Sequence, residues 1–291
     1  MTMVGSIQNV SDTAFLIAQC RAIESARPDA LFHDPLAARL AGQKGQAIVA
    51  AFPTAAQTGW SVAIRTVIID DFIRNAIERG VGMILNLGAG LDTRPYRLDL
   101  PSDLLWVEAD YPDIIAFKNE QLADEPARFG VERVALDLAD ASTRREFFSE
   151  IGRRGRRTLI LTEGVVPYLT EAQAADLADD LRLLTRAEGW IVDYFSPEAH
   201  AFRDRRWARG GHLREATFKF RPDDWFAFFA SHGWRSSEVR YLPEEGVRRG
   251  RQLPLSRARR LVSALLRPLA PPERRIAAQR FMAYVLLEPA N

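Results

Sequence analysis

Residues 83–98 run "MILNLGAGLDTRPYRL". An apolar run that reaches a Gly-X-Gly turn predicts a buried strand bending sharply beneath a nucleotide-type ligand. Gly88 and Gly90 let the backbone approach that ligand with no Cβ in the way. The dinucleotide fingerprint asks for a third glycine, which would fall at Thr93, where a branched side chain crowds the packing of helix start against strand. Asp92 adds a negative charge where a pyrophosphate would want a free helix N-terminus. A ligand that presents a ribose and a sulfonium amino acid has neither requirement. S-adenosylmethionine is such a ligand.

Working outward, the hydrophobic period changes at Val81. Before it, "SDTAFLIAQCRAIES" and "SVAIRTVIIDDFIRNAIERG" carry apolar residues at helical spacing, the second stopping at Gly80. Between them "HDPLAARLAG" predicts a helix with Asp34 as N-cap and Pro35 at the first position, stopped by Gly42. After it, the short apolar runs "GMILNLGAG", "DLLWVEADYP", "ERVALDLAD", "RTLILTEGVVPYL" and "GWIVDYF" predict strands. The helical stretches "DIIAFKNEQLAD", "STRREFFSEIGRR" and "TEAQAADLADDLRLLTRAEG" separate them, the last opened by a Thr170/Gln173 capping box. Strict alternation implies an α/β fold: a doubly wound, mostly parallel sheet with ligands at the carboxyl ends of its strands. "SSEVRYLP" and "QRFMAYVLLEP", with no capped crossover helix between them, predict a closing antiparallel pair. The expected organisation is an N-terminal helical cap over residues 1–79 on a core over 80–291, forming one structural unit. The core carries a basic insertion over 244–279.

Acids recur where the site should lie. Glu108 and Asp110 end the second strand, Asp110 about 20 residues beyond Gly90, where a carboxylate can accept both ribose hydroxyls of NAD or of S-adenosylmethionine. Asp137 ends the third and could take an adenine amino group, with Leu138 near the ring. Glu163 ends the fourth. Helix capping alone does not explain acids at successive strand ends around one crevice.

"NLGAGLDTRPYRL", "VEADYP", "LDL" and "TEGVVPYL", preceded by "RAIES" and "AIRTVIIDDFI", resemble the leucine carboxyl methyltransferase family. The likeness is particularly to its bacterial branch of polyketide O-methyltransferase-like enzymes, and it covers roughly residues 11–195. The resemblance implies a class I methyltransferase (Rossmann-like) fold and S-adenosylmethionine as donor. Carried over by position, Gly88, Ala89 and Gly90 line the methionine part, Asp110 meets the ribose, and Asp137 with Leu138 meets the adenine. Glu163 meets the methionine amino group, and Arg65 and Arg21 its carboxylate. Arginine suits that task as a forked, permanent cation.

Methyl transfer needs geometry and exclusion of water. A carboxylate acceptor needs no base, whereas a phenol does. Of the four histidines only His200 follows a strand end where an acceptor would lie. Tyr168, Tyr194 and Trp207 are candidate pocket walls. A net charge of +1 gives no electrostatic argument for nucleic acid or membrane, and a lone Cys20 leaves no disulfide framework or cysteine zinc site. No metal is expected. With no basic-apolar leader and no apolar run of membrane-spanning length, the cytoplasm is the expected compartment. The arginine-rich segment 248–280 predicts an exposed loop with one surface helix; its "SRARRLVSALLR" is also amphipathic enough to touch an anionic membrane. The reading is an O-methyltransferase acting on a carboxylate or phenol of a small molecule of secondary metabolism. The rivals are an NAD-dependent oxidoreductase and a non-catalytic cofactor- or partner-binding protein on the same fold. Calorimetry separates the two cofactors: S-adenosylhomocysteine binding without NAD binding is expected, and the converse overturns the reading.

Overall fold

The computed structural model describes residues 10–52, 54–207, 217–255, 271 and 276–290. Strand β1 (Met83–Leu87) is buried along its whole length, as an unbroken apolar run requires of a strand covered on both faces. It lies between β2 (Leu105–Asp110) and β4 (Thr158–Thr162), parallel to both. Strands β3 (Gly130–Ala135) and β5 (Ala187–Phe195) extend the parallel sheet on either side. Strand β7 (Met282–Pro289) enters antiparallel between β5 and β6 (Trp234–Tyr241), giving the order β3-β2-β1-β4-β5-β7-β6. This is the expected sheet with its antiparallel last strand. The order reverses between β1 and β4, and that switch point opens a crevice at the strand ends.

Period-two alternation assigns the side chains to two cores. Met83, Leu85, Val107, Ile160, Trp190 and Val285 face one layer. It is closed by α6 (Ala141–Arg153), α7 (Glu171–Leu181) and α9 (Trp225–Ser231). Ile84, Trp106, Leu159, Leu161, Ile191 and Tyr284 face the other, against α3 (Ala55–Glu78). Trp190 and Trp234 meet edge to face at 5.3 Å, with the Trp190 indole donating to Thr162 and the Trp234 indole to the Ala178 carbonyl. Helix α7 has the capping box its sequence announces, but it ends at Leu181, short of the helical pattern read from the sequence.

The cap holds α1 (Val10–Ser25) and α2 (Ala37–Ala51). One expectation fails here and one holds. Asp34 is not an N-cap: Leu36 takes that place without a side-chain bond, and α2 starts two residues later than Pro35 implied. The Asp34 carboxylate is diverted, because its Oδ2 accepts from Arg21 Nε at 2.8 Å and from the Thr93 hydroxyl at 2.6 Å. Gly42 does stop the first helical stretch: at φ +53 and ψ −161 it leaves helical geometry, a backbone only glycine adopts cheaply, and a second helical stretch runs on to Ala51.

The basic connection begins as α10 (Leu242–Arg248) and then runs along the cap. Its first arginines are consumed internally: Arg248 pairs with Glu245, Arg249 with Asp71, and Arg251 with Glu24 and Asp29. Trp60 and Gln57 of α3 donate to the Arg251 and Pro254 carbonyls. This part is a strap across the cap, not the open loop that the sequence suggests. The amphipathic stretch 256–267 lies outside the described residues.

Asp34 ties cap to core through a nearly buried cation, so its loss would leave the Arg21 charge unpaired. Asp34→Ala is expected to cost about 3–5 kcal/mol in urea unfolding, and a loss below about 1 kcal/mol would show the contact to be dispensable.

Candidate functional site

The crevice holds a cavity of about 350 Å³. Its floor is the turn after β1. Gly88 has φ +67, and a Cβ there would come within 2.3 Å of the Val165 side chain; Gly90 has φ +48. Both glycines are therefore required by the turn itself. Opposite it, the end of β2 presents Asp110, whose Oδ2 accepts the Gly90 amide at 2.6 Å and Oδ1 the Tyr111 amide at 2.7 Å. Burial pushes its carboxyl upward, tempered by those two amides and Lys118. A carboxylate has lone pairs to spare beyond two amide bonds, so Asp110 can still accept hydroxyl groups.

The far wall is a charged network. Glu163, at the end of β4, lies 2.7 Å from Arg65 of α3 and 2.8 Å from Arg94 of the short helix α4 (Arg94–Arg97). The Arg65 contact is close but poorly aligned, making it an ion pair more than a hydrogen bond. Arg94 also reaches Asp92 and Asp70, each at 2.8 Å, and Arg97 grips Asp70 with both Nη atoms. Burial opposes every one of these charges, yet the arginines outweigh it at Asp70, Asp92 and Glu163 and hold those carboxyls below their ordinary range. Burial likewise opposes the Arg65 charge, but the carboxylates Glu163 and Asp193 outweigh it and hold that guanidinium firmly protonated.

Of the residues singled out by sequence, the cavity wall brings together Arg21, Arg65, Gly88, Ala89, Gly90, Asp110, Leu138 and Glu163. Asp137 is not among them. It is exposed, and its Oδ1 accepts the Ala139 amide at 2.9 Å. Glu108 is fully buried and committed to Lys118 and Arg133 at 2.8 and 2.9 Å, which makes it a core ion pair. Tyr168 lines the cavity, with its hydroxyl bonded to Arg203 and its ring edge-on to Phe218. Tyr194 and His200 instead line a neighbouring cavity of about 460 Å³ against Trp225 and Phe226. The Trp207 side chain is outside the described residues.

Sequence reasoning gave no role to Arg94, Asp70, Asn86, Tyr111 or Lys219, nor to the α1 residues Ser11, Thr13, Ala14 and Ile17 that roof the cavity. One signal was present. Asp70 interrupts the apolar run "TVIIDDFI", and a charge on the buried side of a helix demands a buried partner. Nothing local identifies that partner as Arg94, 24 residues on.

Cations beside a carboxylate at one end, an uncrowded glycine turn in the middle, and a carboxylate before apolar side chains at the other suit a zwitterionic amino acid joined to a nucleoside. Comparison with known proteins agrees. A mycobacterial S-adenosyl-L-methionine-dependent methyltransferase by name, from Mycolicibacterium paratuberculosis, is 34% identical over 222 residues, 70% of this chain and 71% of its own. A relative of the same name from Mycobacterium avium is 34% identical over 82% of this chain and 83% of its own. A crystal structure from Thermobifida fusca, titled as a methyltransferase, superposes with a TM-score of 0.57 at 13% identity, covering 100% of this chain and 97% of that one. It shares the fold. The protein is an S-adenosylmethionine-dependent methyltransferase of class I architecture. The sequence model of leucine carboxyl methyltransferases matches residues 14–182, more than half the chain, and the chain belongs to that family.

Among the described residues no helix is long and apolar enough to cross a membrane.

Burial, then Arg221 and Arg203, pull the His200 imidazole down to about 4. The unfolded chain therefore binds a proton below about pH 6.5 that the folded chain refuses until about pH 4. Stability contributed at this position is full above that window and falls as pH drops through it. His200→Gln is expected to lose less stability than the parent between about pH 7.5 and 5, by about 1 kcal/mol after discounting for the partly solvated ring. Equal losses in paired denaturant titrations would show that the histidine already titrates normally.

Proposed function

We propose that the enzyme moves the donor methyl to an oxygen of a small-molecule acid, a carboxylate in preference to a phenol. One observation carries this reading: the described wall of the donor cavity contains no histidine or cysteine, and of its carboxylates Asp92 and Glu163 are tied to arginines while Asp110 is engaged by the Gly90 and Tyr111 amides at the ribose end. A phenol would need a base at the methyl. A carboxylate arrives ionised. His200, the base that the sequence offered, belongs to the neighbouring cavity. The family's carboxyl-directed name points the same way.

In this reading Arg65 and Arg21 receive the methionine carboxylate and Glu163 its ammonium. Gly88, Ala89 and Gly90 run along the methionine chain, and Asp110 accepts the ribose hydroxyls. Leu138 packs on the adenine, whose amino group Asp137 meets from the exposed rim. When bound, the donor supplies an electrophilic methyl on a sulfonium; the protein's part is alignment and exclusion of water. Helix α1 roofs the cavity, so the cap over residues 1–79 and the core over 80–291 act as one unit. Lys219, a lysine at the cavity wall, offers a cation to an incoming carboxylate. The acceptor is a metabolite of secondary metabolism in the cytoplasm, and the near-neutral net charge favours it over nucleic acid.

Asp110→Ala is expected to weaken S-adenosylhomocysteine binding by roughly 1–3 kcal/mol; unchanged affinity refutes the ribose assignment. Arg65→Ala is expected to weaken S-adenosylhomocysteine much more than adenosine, and equal losses would mark the arginine as structural. Labelled donor incubated with matched panels of carboxylic acids and phenols tests the acceptor, because a phenol-only product pattern overturns the carboxylate preference.

A further inference from the structure

Asp193 stands at the carboxyl end of β5, two residues past Ile191 and so on the face packed against α3. It is 4% exposed, and its part so far is only to support the Arg65 charge. Tyr284, its register partner on β7, donates its hydroxyl to Oδ1 at 2.6 Å. The Gly164 amide donates to Oδ2 at 2.9 Å. That amide directly follows Glu163 and lies in a turn at φ +69, so the Asp193 carboxylate fixes the peptide from which Glu163 springs.

The charged and titratable groups facing Asp193 are Arg65 from α3, Glu163 just past β4, Tyr168 from the short turn Val166–Tyr168 and Tyr284 from β7, with Arg94 of α4 behind Glu163. Among the described residues no cation comes within ion-pair distance of it, so Arg65 supports its charge only from afar. Burial raises the carboxyl to about 6, tempered by the Tyr284 hydroxyl, Arg65 and the Gly164 amide.

We propose that Asp193 is a positioning residue for the methyl donor: it aims Glu163 through the Gly164 peptide and takes a proton from solvent when an amino-acid carboxylate settles on Arg65. This rests on the assignment of Arg65 and Glu163 made above. The physical reason is a shared countercharge. An anion on Arg65 uses the positive field that supports Asp193, and the carboxylate moves toward its neutral form. An ammonium on Glu163 acts oppositely, but Glu163 is already divided between two arginines and weighs less on Asp193 than Arg65 does. Protonated Asp193 keeps one oxygen to accept the Gly164 amide, so the turn survives the change.

Calorimetric titration of the whole chain with S-adenosylhomocysteine near pH 6.5, in two buffers of different ionisation enthalpy, reads the proton directly. The wild-type protein is expected to take up a fraction of a proton with S-adenosylhomocysteine and none with adenosine, which lacks the carboxylate. Its affinity for S-adenosylhomocysteine is expected to rise by up to about tenfold between pH 8 and pH 6. Asp193→Asn is expected to bind S-adenosylhomocysteine with no uptake. Tyr284→Phe, a smaller change that removes one donor to the carboxylate, is expected to move the pH of maximal uptake upward. Equal uptake in Asp193→Asn and wild type, or no uptake by wild type that binds S-adenosylhomocysteine, overturns the proposal. A protein that does not bind S-adenosylhomocysteine at all overturns the donor-site reading beneath it.

Discussion

Arg94 cannot lose its proton in any ordinary range, and it is 2% exposed. A permanent cation taken out of water must be met by anions held in place, or the fold would lose several kcal/mol, about 3–5 for a broken buried pair. Three carboxylates meet it from three parts of the chain: Asp70 from α3, Asp92 from the glycine turn and Glu163 from β4. The network therefore fixes α3, the glycine turn and the carboxyl end of β4 relative to one another. Two of its members, Asp92 and Glu163, also reach the cavity. The geometry of the candidate donor site thus follows from the demands of a residue that takes no direct part in lining it.

The polar ends of the strands obey one rule. On the face turned toward α3, four strand ends carry Asn86, Asp110, Glu163 and Asp193, two positions past the apolar Ile84, Leu161 and Ile191 and, on β2, past the buried Glu108. Because side chains alternate faces, these four groups project from the same side of the sheet as Arg65. The other face stays apolar, filled by Trp190 and Trp234 and the helices that cover them. A single sheet thereby carries a dry core on one side and, at the strand tips of the other, a set of hydrogen-bonding groups around a cavity.

What the sequence discloses follows the range of the interactions. Strand runs, the Thr170/Gln173 box and the glycine turn are local patterns, and each appears where the periodicity puts it. The closing antiparallel strand was legible because the sequence between the two apolar runs announces no capped crossover helix. Asp34 was misread because its local context, Asp-Pro, is a good helix start, while its actual partners lie 13 residues behind and 59 ahead. Gly42 was legible as a stop because a glycine at positive φ ends many helices, whereas the second helical stretch that follows it at once, burying Gly45 and Ile48, was not. Arg94 and Asp193 were missed for the same reason as Asp34. Their roles consist of contacts across the sheet, and no short window of sequence contains both partners.

The hydroxyl of Thr93 shares one carboxylate oxygen of Asp34 with Arg21, while the other oxygen of that carboxylate has no partner. The place where a dinucleotide-binding chain would carry a glycine is here occupied by one corner of a three-residue unit spread across 72 positions of sequence, from Arg21 to Thr93. Such a unit is epistatic. Substitutions within it will not add, because removing the hydroxyl changes what the aspartate owes the arginine, and removing the aspartate strands both others. A redesign that restored glycine at position 93 to recruit a pyrophosphate would therefore also have to rewrite positions 21 and 34, which lie in a different layer of the molecule.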